Sequence, residues 1–231
     1  MTKKTARDFL KAVFKYKGTL ENDENGRERT WEHCYYNFYK ARNEEHPDMD
    51  YLSLHLAFYL ARWGMYRGSS FLLEKDYKVH IPVVETILSP EYDILLGADC
   101  DILMEENNRN LLKKLSDTIT KYYHDVRCTV KGDDVKSSIS EILITKILMG
   151  TLGCVPAYDR YFVKAIRENE VAIGTYNMES LTQLCKHYKK NCAEYEIVRR
   201  TMCVEEVIYP QMKLLDMGFW QIGKDAKENG R

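Results

Sequence analysis

Residues 104–127, MEENNRNLLKKLSDTITKYYHDVR, decide the fold class. Leu111, Leu115, Ile119, Tyr122 and Val126 recur at intervals of three and four. That spacing stacks side chains on one side of an α-helix, whereas a half-buried strand alternates at two. Asn107, Lys114, Asp117 and Lys121 lie away from the stripe, so the segment predicts an amphipathic helix with one buried face.

Toward the C-terminus the same period continues. A Lys131-Gly132-Asp133-Asp134 turn precedes Ser138-Ile139-Ser140-Glu141, which has the form of a capping box. Ile142 to Met149 is so apolar that it predicts a core helix. Residues 150–156 read as a tight connection and 157–168 as a helix. Asn177 is placed to start a long helix with Leu181, Leu184, Tyr188, Cys192 and Tyr195 inward, and residues 204–217 predict a last helix stopped by Gly218.

Toward the N-terminus, residues 5–17 predict a helix with Phe9, Leu10, Val13 and Phe14 on one face. The polar stretch 18–29 reads as a loop, and Thr30 as the cap of a helix carrying Trp31, Tyr35, Phe38 and Tyr39. Residues 50–66 are apolar nearly all round, which predicts a helix in the middle of a bundle. Pro82 and Pro90 suit the first turns of two short helices. Asp76 to Ile81 alternates well enough to stand as a lone edge strand. These elements predict an all-α, multi-helix single domain over residues 1–231, divisible into helical halves near 1–103 and 104–231.

Composition narrows the function classes. The chain has 231 residues, with 34 lysines and arginines against 35 aspartates and glutamates, a formal net charge of −1. No global field draws it to nucleic acid or to an anionic membrane, so binding of that kind needs a local patch. The seven cysteines are odd in number and form no C-x-x-C, which fits free thiols in a reducing compartment and predicts a cytoplasmic protein. The start, Met1-Thr2-Lys3-Lys4 with Asp8 and Lys11 following, has no apolar signal region, and the stretch 52–65 is interrupted by Ser53, His55 and Arg62. No membrane span is expected. The histidines His33, His46, His55, His80, His124 and His187 form no metal-ligand spacing, so neither a metal nor a cofactor is expected.

Two C-terminal segments carry a resemblance. Ile144-Thr145-Lys146-Ile147-Leu148 followed by Val155-Pro156-Ala157-Tyr158-Asp159-Arg160, and Leu214-Leu215-Asp216-Met217-Gly218-Phe219-Trp220-Gln221-Ile222-Gly223, resemble patterns in bacterial proteins related in fold to helix-hairpin-helix DNA glycosylases. The resemblance covers roughly residues 138–223 and implies a glycosylase-like helical fold for the C-terminal half. It also implies that Asp159 falls where the true glycosylases carry a catalytic aspartate. The chain departs from that family in lacking the Gly-rich hairpin turn, and Glu141 stands near the position of the nucleophilic lysine in bifunctional members. The N-terminal half, with Trp63-Gly64-Met65-Tyr66-Arg67-Gly68-Ser69-Ser70, resembles bacterial proteins to which no activity attaches.

Candidate chemistry stands beside plainer readings. Asp159 could stabilise a cationic transition state or activate water, or it could simply favour a helix N-terminus. Lys146, inside an apolar helix, could be an amine of lowered pKa, or could lay its stem along the core and send its amine to a partner. Arg67, Ser69 and Ser70 combine a guanidinium with two hydroxyls, an anion-binding set or a helix cap beside a surface arginine. Lys186, Lys189 and Lys190 gather positive charge on one helix, a nucleic-acid face or a solvated one. Two functional expectations follow: a nucleic-acid-associated protein, either a divergent DNA-processing enzyme or a non-catalytic reader, and alternatively an interaction protein without chemistry that associates with itself. Convergence of Asp159, Lys146 and Arg67 on one concave, basic pocket favours the first, and their dispersal favours the second.

Overall fold

The helix foreseen at 142–149 is the axis of the architecture. It runs from Glu141 to Thr151, and every residue from Leu143 to Thr151 is buried. The computed structural model describes residues 3–131 and 138–228. It is all-α: α1 (Lys3–Asn22), α2 (Arg29–Ala41), α3 (Met49–Arg62), α4 (Ile81–Ile87), α5 (Cys100–Met104), α6 (Glu106–Cys128), α7 (Glu141–Thr151), α8 (Arg160–Glu168), α9 (Met178–Lys190), α10 (Cys192–Arg199) and α11 (Gln211–Glu228), with short 3₁₀ turns at Phe71–Glu74, Tyr77–His80 and Pro90–Leu95. Among the described residues the only strands are Cys203–Val204 and Val207–Ile208, an antiparallel pair with Cys203 opposite Ile208 and Val204 opposite Val207. One buried cluster runs from Phe9 to Trp220 and draws on both halves of the chain.

The amphipathic reading of α6 matches the structure: Leu115 and Ile119 are buried, and Leu111, Tyr122 and Val126 pack against the core from its edge. Asn177 caps α9, its side chain accepting from the Ser180 amide at 2.8 Å. Pro82 and Pro90 open their helices as foreseen. Most of the Lys131–Asp134 turn lies outside the described residues.

Several local readings are corrected. The strand candidate 76–81 is a 3₁₀ turn that Asp76 caps by accepting from the Lys78 amide, because a short side-chain acceptor competes successfully with extended pairing. Thr30 is not a cap. It lies inside α2, and its hydroxyl donates to Arg27 O at 2.6 Å. The capping hydroxyl of α7 is Ser140 rather than Ser138, accepting from the Ile142 amide. α1 continues through Gly18 to Asn22, five residues into the expected loop. The long helix expected from Asn177 breaks at Asn191 into α9 and α10, which leaves Cys192 exposed.

Two corrections bear on the site. α3 is not enclosed: Tyr51, Leu54 and Phe58 on one side of it are about half exposed, at 49%, 50% and 56%. The last helix does not stop at Gly218. That glycine lies in mid-helix because α1 crosses it, and a Cβ there would sit 2.2 Å from the Phe9 ring. Five residues on, a Cβ at Gly223 would sit 2.0 Å from Tyr161 O, at the start of α8. Both absent side chains let α11 lie against α1 on one side and α8 on the other, so the end of α11 and the start of α8 share one wall.

Candidate functional site

The carboxylate of Asp159 is delivered by a loop pinned at two points. Asp216 on α11 accepts from the Ala157 amide at 3.0 Å, and the Thr145 hydroxyl on α7 accepts from the Tyr158 amide at 3.1 Å. Asp159 then caps α8, its Oδ1 accepting from the amides of Tyr161 at 3.0 Å and Phe162 at 3.2 Å. Its other oxygen has no hydrogen-bond partner among the described residues. Burial raises the Asp159 pKa above the usual carboxylate range, while Lys146 and the two capping amides oppose the rise and Asp216 adds to it. Capping and a perturbed carboxylate are therefore compatible at this residue.

Lys146 projects from the middle of α7 and is only 4% exposed. Its Nζ donates to Trp63 O at 2.6 Å, where α3 ends and its last carbonyls lack helical partners. Burial lowers its pKa, partly offset by Asp159 and Asp216 and reinforced by Arg67 and Arg27. Arg67 folds back over the turn that follows α3. Gly64 there has φ +79°, and a Cβ on it would lie 2.8 Å from the guanidinium carbon, so glycine serves both the backbone and the packing.

These three side chains line one concavity of about 420 Å³. Its wall carries six cationic side chains, Arg27, Arg62, Arg67, Lys146, Arg160 and Lys224, against the carboxylates of Asp159 and Glu228. On a chain of net charge −1 this is a local positive field of the kind that overall composition conceals. Beneath lies a cell of about 10 Å³, room for one water, that shares Trp63, Lys146, Asp159 and Trp220 with the concavity and is closed by Trp31, Tyr59, Lys213 and Asp216. All three tryptophans of the protein therefore meet here. Trp63 and Trp220 stand edge to face, centroids 5.6 Å apart, and the Arg27 guanidinium lies 5.0 Å and 5.7 Å from their rings. Lys213, 2% exposed, pairs with Asp216 at 3.2 Å and lies 4.6 Å from the Trp31 ring. Buried charges of this kind persist only when paired, and this pair also holds the loop that presents Asp159.

The other sequence candidates lie elsewhere. Ser70 caps the turn at Phe71–Glu74 by accepting from the Leu72 amide, and neither it nor Ser69 lines the concavity. Lys186, Lys189 and Lys190 are exposed on α9, away from the lining, and Lys189 is ion-paired with Asp101. The basic rim comes from other residues, because helix packing rather than sequence clustering brings charges together. His55 is half-buried, with burial lowering its pKa. The seven cysteines are free, Cys34, Cys100, Cys154 and Cys185 buried and Cys128, Cys192 and Cys203 exposed. Among the described residues no group of three or more histidine, cysteine, aspartate or glutamate side chains could hold a metal ion, and no helix is long and apolar enough to cross a membrane.

Sequence reasoning missed Arg27, the tryptophans, and the Lys213–Asp216 pair. A signal existed for the last: two opposite charges three apart within the apolar run QMKLLDMGFW, where solvent exposure was not to be expected. Together the fold and the lining define an all-α protein with a cationic, indole-walled pocket and a carboxylate and a lysine at its floor. The chain matches no protein-family model, and no significant match to it exists among curated proteins or solved structures.

Proposed function

We propose that this chain is a nucleic-acid-associated protein that takes one nucleotide into the pocket between α3, α7, α8 and the end of α11. The observation that carries the reading is the convergence of Asp159, Lys146 and Arg67 on one concavity with a cationic rim. Phosphates suit the rim, because Arg27, Arg62, Arg67 and Arg160 offer planar, bidentate donors. A base suits the interior, because Trp63, Trp220 and Tyr161 offer apolar ring surface in a pocket near the lower end of the ligand-site size range, roughly 300 Å³. A base in a duplex reaches such a pocket only by leaving the stack.

In this reading Asp159 supplies the reactive carboxylate. Its unpartnered oxygen accepts a proton from water or opposes positive charge developing on the sugar, while Oδ1 stays fixed by the α8 amides. Lys146 tethers the end of α3 and tunes the charge on Asp159. The resemblance of residues 138–223 to glycosylase-like proteins supports a DNA-processing role over a purely passive reader.

The test is a gel-shift and nicking assay on normal, mismatched and damaged duplexes and on single strands at two salt concentrations. Binding that weakens with salt is expected, and Asp159→Asn should keep binding while abolishing processing. No binding to any of these at low salt overturns the reading. A second reading, self-association, draws on the half-exposed Tyr51, Leu54 and Phe58 on α3, and a concentration-dependent mass in solution would favour it.

A further inference from the structure

Behind the pocket wall, a buried chain of three side chains is engaged in neither the rim nor the floor. Tyr66, half-buried, lines the pocket beside Arg67. Its hydroxyl lies 2.7 Å from Nε2 of His80, and Nδ1 of His80 lies 2.5 Å from the hydroxyl of Tyr123. His80 and Tyr123 have no solvent exposure. The imidazole is neutral, burial holding its pKa down to about 4.

A neutral imidazole has one donor and one acceptor nitrogen, so only two arrangements exist. If Tyr66 donates to Nε2, then Nδ1–H donates to Tyr123, and the Tyr123 proton is left in the core with no acceptor among the described residues. If Tyr123 donates to Nδ1, then Nε2–H donates to the Tyr66 oxygen, and every fully buried donor is satisfied. The second arrangement avoids an unpaired buried donor, which is the costlier defect. It leaves one proton unassigned, the hydroxyl proton of Tyr66, on the residue that belongs to the pocket wall.

We infer that Tyr66 is a binding residue that donates this proton to a phosphate oxygen of the ligand, with His80 and Tyr123 acting as positioning residues: by donating to the Tyr66 oxygen, His80 leaves the Tyr66 proton free for the ligand. The inference rests on the nucleotide reading for the identity of the ligand, though not for the hydrogen-bond logic. Accepting from Nε2–H also polarises the Tyr66 hydroxyl and strengthens its own donation. Burial and Asp76 keep the phenol protonated, its pKa pushed up to about 12. Beside Arg67 this gives one neutral and one charged donor for the same group.

Two arms test it on the full chain. Long-range proton–nitrogen NMR with labelled histidine, His80 being assigned by the signal lost in His80→Gln, should find Nε2 protonated and Nδ1 bare. The reverse tautomer overturns the inference. Titration with inorganic phosphate, followed by tryptophan fluorescence at a temperature where both proteins are folded, should show Tyr66→Phe binding about tenfold more weakly than the parent. Its thermal midpoint should fall, because the buried Nε2–H of His80 loses its acceptor. Equal affinity in the variant, or no phosphate binding by the parent, overturns it as well. Phosphate binding that depends on Tyr66, with no oligonucleotide shift, would sink the nucleic-acid reading and leave this inference standing.

Discussion

Removing the carboxylate of Asp216 should destabilise the protein more than any change at the rim, and the loss can be worked out from its two oxygens. Oδ1 accepts from the Ala157 amide, and Oδ2 pairs with Lys213, whose side chain is only 3% exposed. Asp216→Asn keeps an acceptor for Ala157 but leaves a buried ammonium without its counter-charge, a defect of about 3 kcal/mol where no second carboxylate takes over. The Tyr16 and Trp31 rings, 5.3 Å and 4.6 Å from Nζ, offset part of it. Asp216→Ala also orphans the Ala157 amide, adding about 1–3 kcal/mol. The expected total of about 4–6 kcal/mol is a large part of the stability of a typical domain, roughly 5–15 kcal/mol. Lys213→Met combined with Asp216→Asn removes both charges, keeps the loop anchor and should recover most of the loss. Urea unfolding followed by tryptophan fluorescence measures all three, since the tryptophans surround the pair. A loss below about 2 kcal/mol for Asp216→Ala, or a double variant as unstable as Asp216→Asn, would refute the claim that a desolvated ion pair holds this loop.

Asp159→Asn should gain stability relative to the parent as pH rises. The folded pKa lies above its ordinary value, so the native state binds more protons and the parent loses stability as pH climbs from the ordinary carboxylate range through the raised value, whereas asparagine does not titrate. Thermal midpoints at pH 3 to 7 should show that gap widening, and a constant gap would contradict it. Gly218→Ala should cost about 1–3 kcal/mol by chemical denaturation, because Phe9 is fully buried and wedged between Tyr195 and Phe219 at 4.4 Å and 5.0 Å. Arg67→Ala should lower the dependence of oligonucleotide affinity on salt by roughly one counterion, while Lys186→Ala should leave it unchanged; the opposite ranking in a salt series would return the binding face to α9.

The reach of sequence reading can be judged at particular residues. Asp159 and Lys146 were legible: one falls at the start of an expected helix just after a proline, and the other interrupts an apolar run, and both are local anomalies. Arg67 was legible as a charged residue in a glycine-containing turn. The Lys186–Lys190 stretch misled, because adjacency in sequence describes one helix surface and says nothing of which surface faces the site. Gly218 misled for a related reason. A glycine reads as a helix stop unless a neighbouring helix needs its missing side chain, and here Phe9 needs it.

What the sequence determined by itself was the all-α class and the place of most helices, though not the break at Asn191 or the hairpin at 203–208 inside the expected last helix, since intervals of three and four, proline at first turns and short polar caps act over a few residues and are set by backbone geometry. It determined the burial of α7 as well, whose composition leaves no polar side to offer to water. Only the tertiary structure decided that one side of α3 stays half exposed, and that α11 runs unbroken past two glycines. It alone decided that Trp31, Trp63 and Trp220 close over Lys146 and Asp159. Those outcomes depend on how closely and at what angle helices cross, and side chains distant along the chain set both.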